Sequence, residues 1–452
     1  MEIPSELESI VKDIEAEGGK SYLVGGAVID TIKGIPLKDW DIEVYKLSLQ
    51  KLESILSKHG RPNLVGKCFG IIKLRQDDKE YDFSIPRKEN LIGIGHKAFE
   101  VEFVPNITPE EAAYRRDLTI NSMFFDISER KLVDPYGGLK DLEEGVLRHT
   151  SDKFTEDSLR VLRVMQLLPR KGKIVADETL KLCKEMVSGY PTLAKERVFE
   201  EWNKLLMRAE NPSMGLQFLV DCGWIKWYPA LDNLRYTEQN LDWHPEGSVW
   251  NHTLMVVDYA AQLKDEIPGE WRRAYMFGCL IHDVGKAVTA SSDLTAHGHD
   301  EAGVPIAESF MREITEDKKL IEQILNIVKY HMRPGELTKG NAKESAWKRL
   351  HNKIPLNVIA YVSKADSCGR LGRSLYDYHE PSEKALRLFE EYGKEPIPQL
   401  LMGRHLIEKG YEPGIIFGKI LKEAYEIQIE EGITDKDALL KRVEYSMKAK
   451  VS

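Results

Sequence analysis

The 452-residue sequence predicts an α+β chain: a small head on a mixed sheet, followed by an all-α remainder. Strand-like runs dominate between Ser21 and Asp134, at Tyr22–Val24, Asp41–Val44, Gly70–Leu74, Tyr81–Ile85 and Asn121–Asp126, with helical patterns between some of them. From Asp141 to Ser452 the apolar spacing is almost wholly helical. The turn Asp134-Pro135-Tyr136-Gly137-Gly138 separates the two regimes.

Leu7, Ile10, Val11 and Ile14 give a first amphipathic helix, closed by Gly18-Gly19. A diglycine turn follows at Gly25-Gly26, then a short helix, then a strand carrying Asp39 and Asp41. Farther on, Glu156, Arg160 and Arg163 fall at i, i+4 and i+7, which predicts one face of a helix starting near Phe154, with Asp157 beside it. Leu159, Leu162, Val164, Leu167 and Leu168 form that helix's apolar side, and Pro191, Pro212 and Pro229 break the helices that follow. A histidine-rich stretch runs from His252 to His331, and spaced glycines from Gly403 to Leu440 suggest a terminal helical hairpin.

Hydrophobic content of 42% and charged content of 30% are ordinary for a globular protein, and the length calls for several domains. A net charge of −9 argues against a protein that merely coats nucleic acid. Local basic pairs such as Arg115-Arg116, Arg170-Lys171 and Arg272-Arg273 leave room for RNA contacts, although each also suits a solvated surface. Cys68, Cys183, Cys222, Cys279 and Cys368 contain no CxxC pair; an odd, widely spaced set predicts reduced thiols, a cytoplasmic setting and no structural zinc. No apolar leader core and no span-length apolar run is present, so no membrane association is expected.

Two carboxylates at i, i+2 on a strand point to the same face and can share divalent cations. Most Asp-x-Asp pairs are plain surface acids, but here a phosphate-sized diglycine turn lies just upstream. The strand Tyr81-Asp82-Phe83 offers a third carboxylate, and three carboxylates with two metals suit in-line phosphoryl displacement. Arg115-Arg116-Asp117 adds forks for phosphate and an acceptor for a hydroxyl. For a generic helix, Glu156, Arg160 and Arg163 would be an exposed salt-bridge ladder.

Taken in order, Tyr22–Asp30, Lys38–Asp41, Arg115–Asn121, Asp134–Gly138 and Glu156–Arg163 resemble the bacterial class II tRNA nucleotidyltransferases, the CCA-adding family that includes bacterial poly(A) polymerases. The resemblance covers most of the chain. It implies that Gly25 and Gly26 hold a triphosphate by their backbone, and that Asp39 and Asp41 bind Mg2+ with Asp82 as third catalytic carboxylate. It further implies that Arg116 contacts the nucleotide, Asp117 the ribose, and Asp157 and Arg160 the base edge, supported by Arg163. The implied reaction is attack of a tRNA 3′-hydroxyl on CTP or ATP. Ile29 departs from the family, which usually has Arg there, and this removes a cation from the expected triphosphate pocket. The segment Arg87 to Phe103, with Ile92-Gly-Ile-Gly-His-Lys97, resembles the family's flexible loop.

A second constellation contains Asn251-His252, His282-Asp283, His297-Gly298-His299, His331 and Asp366, with Lys286 nearby. Imidazole nitrogen and carboxylate oxygen together suit a metal, whereas a lone histidine more often sits in a core. The order resembles the HD superfamily of metal-dependent phosphohydrolases. That resemblance implies His252, His282, Asp283 and Asp366 as ligands, with His299 and His331 completing a second position. It also implies one or two divalent transition metals or Mg2+, with Lys286 neutralising phosphate and 2′,3′-cyclic phosphodiesterase or phosphatase activity. The expected partition is a head at 1–140, a neck at 141–200, a body at 201–245, an HD domain at 246–370 and a tail at 371–452. A homodimer stays open. So do two rivals: a poly(A) polymerase or A-adding specialist, and a hydrolase whose head only binds RNA.

Overall fold

The computed structural model describes residues 3–37, 39–65, 70–76, 79–91, 99–410 and 412–451. Lys38, Cys68 and the loop core Ile92–Lys97 lie outside these. The chain divides into two units: Met1–Ala209 with Met214–Trp227, and Glu210–Ser213 with Tyr228–Ser452.

The first unit is built on a seven-stranded mixed sheet in the order β3-β4-β5-β2-β1-β8-β9. Its strands are β1 (Lys20–Val24), β2 (Asp39–Tyr45), β3 (Asn63–Val65), β4 (Ile71–Gln76), β5 (Lys79–Ser84), β8 (Phe124–Asp126) and β9 (Lys131–Val133), while β6 (Arg87–Leu91) and β7 (Phe99–Phe103) pair apart as a hairpin. All neighbours in the main sheet are antiparallel except β2 and β5, which run parallel with Asp41 opposite Asp82. Period-two alternation on β2 buries Trp40, Ile42 and Val44 and turns Asp39, Asp41 and Glu43 to the other face. The helices α1 (Ser5–Ala16) and α3 (Leu49–Leu56) pack together, and they bury Leu7, Ile10, Ile14 and Leu52, Ile55, Leu56. α2 (Gly26–Ile32) buries Ala27, Val28 and Ile29 beside β1 and β2.

The run expected as one strand over Asn121–Asp126 splits. Thr119–Asn121 forms a short 3-10 turn and β8 starts only at Phe124. Side chains explain the break: Arg116 Nη1 donates to the Asn121 carbonyl at 2.9 Å, and Asn121 Nδ2 to Asp117 Oδ1 at 3.0 Å. Two short helices, α4 (Pro109–Tyr114) and α5 (Gly138–Glu144), flank this region.

The Glu156, Arg160, Arg163 helix face also needs correction. Asp152–Glu156 is a 3-10 turn, Asp157 is extended, and α6 spans Leu159–Lys171. The Asp157 carboxylate accepts the Leu159 amide at 2.9 Å, an Asx-type cap that starts the helix after it. Glu156 therefore lies off the helix, paired with Lys153 at 2.7 Å. The apolar side predicted for α6 is buried throughout and packs on α8 (Lys195–Arg208), with α7 (Asp177–Glu185) between them in sequence and α9 (Ser213–Asp221) after.

The second unit is helical. It runs α10 (Pro229–Asp232), α11 (Val249–Leu263), α12 (Gly269–Ile281), α13 (Lys286–Thr289), α14 (His299–Ile314), α15 (Lys318–Tyr330), α16 (Arg333–Lys339), α17 (Glu344–His351), α18 (Leu356–Cys368) and α19 (Glu380–Tyr392). The terminal segment has three helices, α20 (Gly403–Glu408) and the paired α21 (Ile415–Glu431) and α22 (Lys436–Val451), with its own small core of Leu406, Ile420, Ala424, Leu439 and Val443. Cys183, Cys222, Cys279 and Cys368 are buried free thiols.

Gly285 sets the close approach of the segment after α12 to the start of α14. A Cβ there would stand 1.9 Å from the His299 carbonyl oxygen and 2.6 Å from the Gly303 amide nitrogen. Backbone cannot yield as a flexible side chain does. Replacing Gly285 with Ala is therefore expected to destabilise the second unit by about 1–3 kcal/mol, checked by thermal unfolding.

Candidate active site

The head site forms along β2 and its neighbours. Asp39 and Asp41 are exposed and Asp82 is half-buried. Asp82 Oδ1 is buried without a hydrogen-bond partner, while Oδ2 sits 3.1 Å from Lys73 Nζ. Desolvation and the like charges of Asp82 and Asp39 raise the Asp41 pKa, against the pull of Lys73 and Arg116. Crowded carboxylates with an unsatisfied buried oxygen favour a hard cation, so this donor set fits Mg2+.

Gly25, before α2, has φ +64° and ψ −134°, a region essentially restricted to glycine. Open space lies where a Cβ would project from Gly25 or Gly26. Ile29, by contrast, is 1% exposed, a core residue of α2.

Beside the acids, a cleft of about 390 Å³ is lined by residues that include Glu43, Arg87, Arg115, Arg116, Asp157 and Arg160. Glu43 was missed in the sequence, although the alternation that places Asp39 and Asp41 on one face extends to it. Its carboxylate takes Arg116 Nη2 at 2.8 Å and the Tyr45 hydroxyl at 2.6 Å, and Arg116 also lies 4.6 Å over the Phe124 ring. Arg160 donates to the Lys153 and Arg115 carbonyls at 2.6 and 2.7 Å. Two bonds leave further N–H groups on its five-donor fork. Asp157 Oδ2 accepts from Arg197 at 2.6 Å, a partner the sequence did not reveal.

Asp117 and Arg163 do not line this cleft. Asp117 is 7% exposed; its Oδ2 takes Arg163 Nε at 2.6 Å and its Oδ1 the Leu118 amide and Asn121. Burial alone would raise its pKa, but the Arg163 charge and these hydrogen bonds outweigh burial and hold it below the usual carboxylate range. Through Arg163, Asp117 ties α6 to the head.

The second site gathers His252 from α11, His282 and Asp283 after α12, His299 from α14, His331 after α15 and Asp366 from α18. His252, His282 and Asp366 form one group of donor atoms, and Asp283, His299 and His331 another. Asp283 touches both: Oδ2 lies 3.7 Å from His252 Nε2 and 3.3 Å from His282 Nε2, and Oδ1 lies 3.2 Å from His299 Nε2 and 3.6 Å from His331 Nε2. Each imidazole uses Nδ1 on a backbone carbonyl: Gly369 for His252, Cys279 for His282, Ala296 for His299 and Val328 for His331, at 2.7 to 3.1 Å. That fixes the tautomer and turns every Nε2 inward. His282 Nε2 is buried without a hydrogen-bond partner, and the His299 and His331 Nε2 atoms face each other at 3.1 Å.

Burial works against charging His282, yet Asp283 and Asp366 pull its pKa up to about 10. The nitrogen and oxygen donors of the two groups fit divalent metals. Lys286 Nζ reaches Asp283 Oδ2 at 2.7 Å. His297 is exposed on the wall of the adjoining cleft and stands outside both groups. Glu246, which the sequence reading passed over, accepts from His252 Nδ1 at 3.0 Å and from His244 at 2.8 Å.

The chain matches three family models: the poly A polymerase head domain over residues 21–148, the probable RNA and SrmB-binding site of polymerase A over 174–234, and the HD domain over 249–371. The solved CCA-adding enzyme of Bacillus stearothermophilus in complex with CTP shares its fold, with a TM-score of 0.68 at 19% identity over 99% of this chain and 100% of that one. The Thermotoga maritima CCA-adding enzyme complexed with tRNA gives a TM-score of 0.58 at 18% identity, covering 98% and 96%. A multifunctional CCA protein of Vibrio cholerae is 36% identical over 78% of this chain and 86% of its own length. With a Vibrio vulnificus multifunctional CCA protein 34% identical across 81% of this chain and 89% of that protein, the chain belongs to the multifunctional CCA protein family.

Proposed function

We propose that the chain adds C and A to the 3′ end of tRNA from CTP and ATP without a nucleic-acid template, and that its second unit is a metal-dependent phosphohydrolase. The observation that carries the first part is the parallel register that sets Asp41 opposite Asp82, with an unpartnered buried oxygen on Asp82. Mg2+ held by Asp39 and Asp41, with Asp82 completing the acidic set, would polarise the α-phosphate and help ionise the attacking hydroxyl. The Gly25-Gly26 backbone, with no side chain in the way, cradles the triphosphate. With Ile29 in the core, Arg116 and the exposed Lys33 are the nearby candidates to supply cationic charge. Asp157 and Arg160, each fixed by a neighbour, offer acceptor and donor groups to the base edge of the incoming nucleotide. Asp117 and Arg163 support that wall from behind.

In the second unit, His252, His282, Asp283 and Asp366 would hold a divalent metal and His299 and His331 would complete a second position; metals bound there would activate water and clamp a phosphate. Lys286 lies beside Asp283 to neutralise phosphate charge. The fitting substrates are 2′,3′-cyclic phosphates and phosphomonoesters at RNA ends. The finer partition reads as head 1–140, neck 141–200, body 201–245, hydrolase 246–370 and tail 371–452. Among the described residues no helix is long and apolar enough to cross a membrane, and we read the setting as cytoplasmic.

Supplying CTP, ATP or both with tRNA trimmed to its discriminator base should give stepwise C, C and A addition. ATP-only extension of many RNAs would instead indicate a poly(A) polymerase. Asp39→Ala or Asp41→Asn should cut nucleotide addition by roughly 10³-fold or more while leaving phosphoesterase activity intact. His282→Ala with Asp283→Ala should do the reverse and lower bound metal, measured by elemental analysis of the purified protein. Because the Asp117 pKa is depressed, its tie to Arg163 stabilises fully above the ordinary carboxylate pKa and is lost as pH falls through the lowered value. Asp117→Asn should therefore cost about 1–3 kcal/mol near neutral pH and flatten the acid limb of the unfolding curve followed by circular dichroism.

A further inference from the structure

The segment from Thr237 to Ser248 walls the hydrolase cleft and is closed upon itself. Glu238 and Ser248 form an antiparallel bridge, the Gln239 amide donates to Gly247 at 2.9 Å, and the Val249 amide to Thr237 at 2.9 Å. Inside the loop, the amides of Trp243 and His244 turn back on the Asn240 carbonyl at 3.1 and 2.8 Å. The same loop anchors the metal cage, since its Glu246 carries His252. Trp243 is nonetheless 70% exposed, held out over a cleft of about 340 Å³ that also contains Asp283, Lys286 and His299. A single exposed tryptophan needs no explanation in itself. One on a self-bonded loop at the mouth of a phosphate site offers a fixed π-face with little ordering cost.

A second observation comes from Gln239. It is 5% exposed and lines the same cleft, and its Nε2 has no hydrogen-bond partner. The amide orientation is set by its other end, because Oε1 accepts from Lys286 Nζ at 2.9 Å. Lys286 in turn reaches the shared Asp283 carboxylate, which places the idle donor one lysine away from the metal cage. Arg370, also in the lining, has a buried Nε without a hydrogen-bond partner. Buried donors are costly to leave unpaired, so these idle ones point to an anionic or oxygen-rich occupant.

We propose that Trp243 and Gln239 are the residues that set substrate preference at this hydrolase cleft, Trp243 by stacking on the base of a nucleoside phosphate and Gln239 Nε2 by donating to its phosphate or ribose. The inference rests on the hydrolase reading above. A nucleoside phosphate can arrive free or as the last residue of an RNA.

The test uses the full-length protein with Mn2+ and three probes: adenosine 2′-monophosphate, ribose 5-phosphate, and a trinucleotide ending in a 2′-phosphate. Trp243→Ala should raise KM for both adenosine-bearing probes by about tenfold or more, leave their kcat nearly unchanged, and leave ribose 5-phosphate unaffected. Trp243→Phe should restore the preference. Gln239→Leu should weaken all three together. A lower KM for the trinucleotide than for the free nucleotide assigns the source to RNA ends, and the reverse assigns it to free nucleotides. If Trp243→Ala changes all probes equally or none, the proposal is overturned while the hydrolase stands. If the wild type turns over no probe but binds adenosine 2′-monophosphate in calorimetry in a Trp243-dependent way, the loop assignment stands and the hydrolase reading fails. Absence of both turnover and Trp243-dependent binding overturns both.

Discussion

Mutual repulsion among carboxylates is the constraint around which the head is arranged. Asp39, Asp41 and Glu43 line one face of β2, and the parallel neighbour β5 adds Asp82 directly opposite Asp41. Bringing like charges together costs energy unless cations answer them. The head answers at both ends of the row: Lys73 beside Asp82, and Arg116 beside Glu43. Asp39 and Asp41 stay exposed. The sheet's own cations thus pair with Asp82 and Glu43 and leave Asp39 and Asp41 without a salt bridge among the described residues.

The helical unit meets the same problem in a drier place. Asp283 and Asp366 are surrounded by imidazoles whose outer nitrogens are already committed to main-chain carbonyls. Those bonds orient the rings, so the donor geometry is set without a metal. Gly285 belongs to this arrangement, because only a residue without a Cβ allows the turn carrying Asp283 to lie against the turn carrying His299.

Much of this was legible in the sequence. The α+β division, the acidic strand, the glycine turn and the histidine set were all readable, because each rests on local spacing or on residue types that few other environments tolerate. Most of what escaped depended on contacts between distant segments. Asp157 looked like a neighbour of Arg160 but bonds Arg197, forty residues on. Asp117 looked open to a ligand, yet tertiary packing buries it against Arg163. Glu156 looked helical until the Asp157 cap moved the helix start past it. Ile29 was read as a missing cation, whereas the fold uses it as core. Glu43 and Glu246 were overlooked because an acid that serves another side chain carries no motif of its own.

His282 and His331 occupy the positions where α12 and α15 end, and each gives its ring N–H to a carbonyl of its own helix's last turn. Such carbonyls are normally left to water or a glycine turn. The two imidazoles are therefore also the stoppers of the helices that precede them. Fraying of either terminus would displace an imidazole of the cage, so the donor geometry is coupled to the winding of two helix ends.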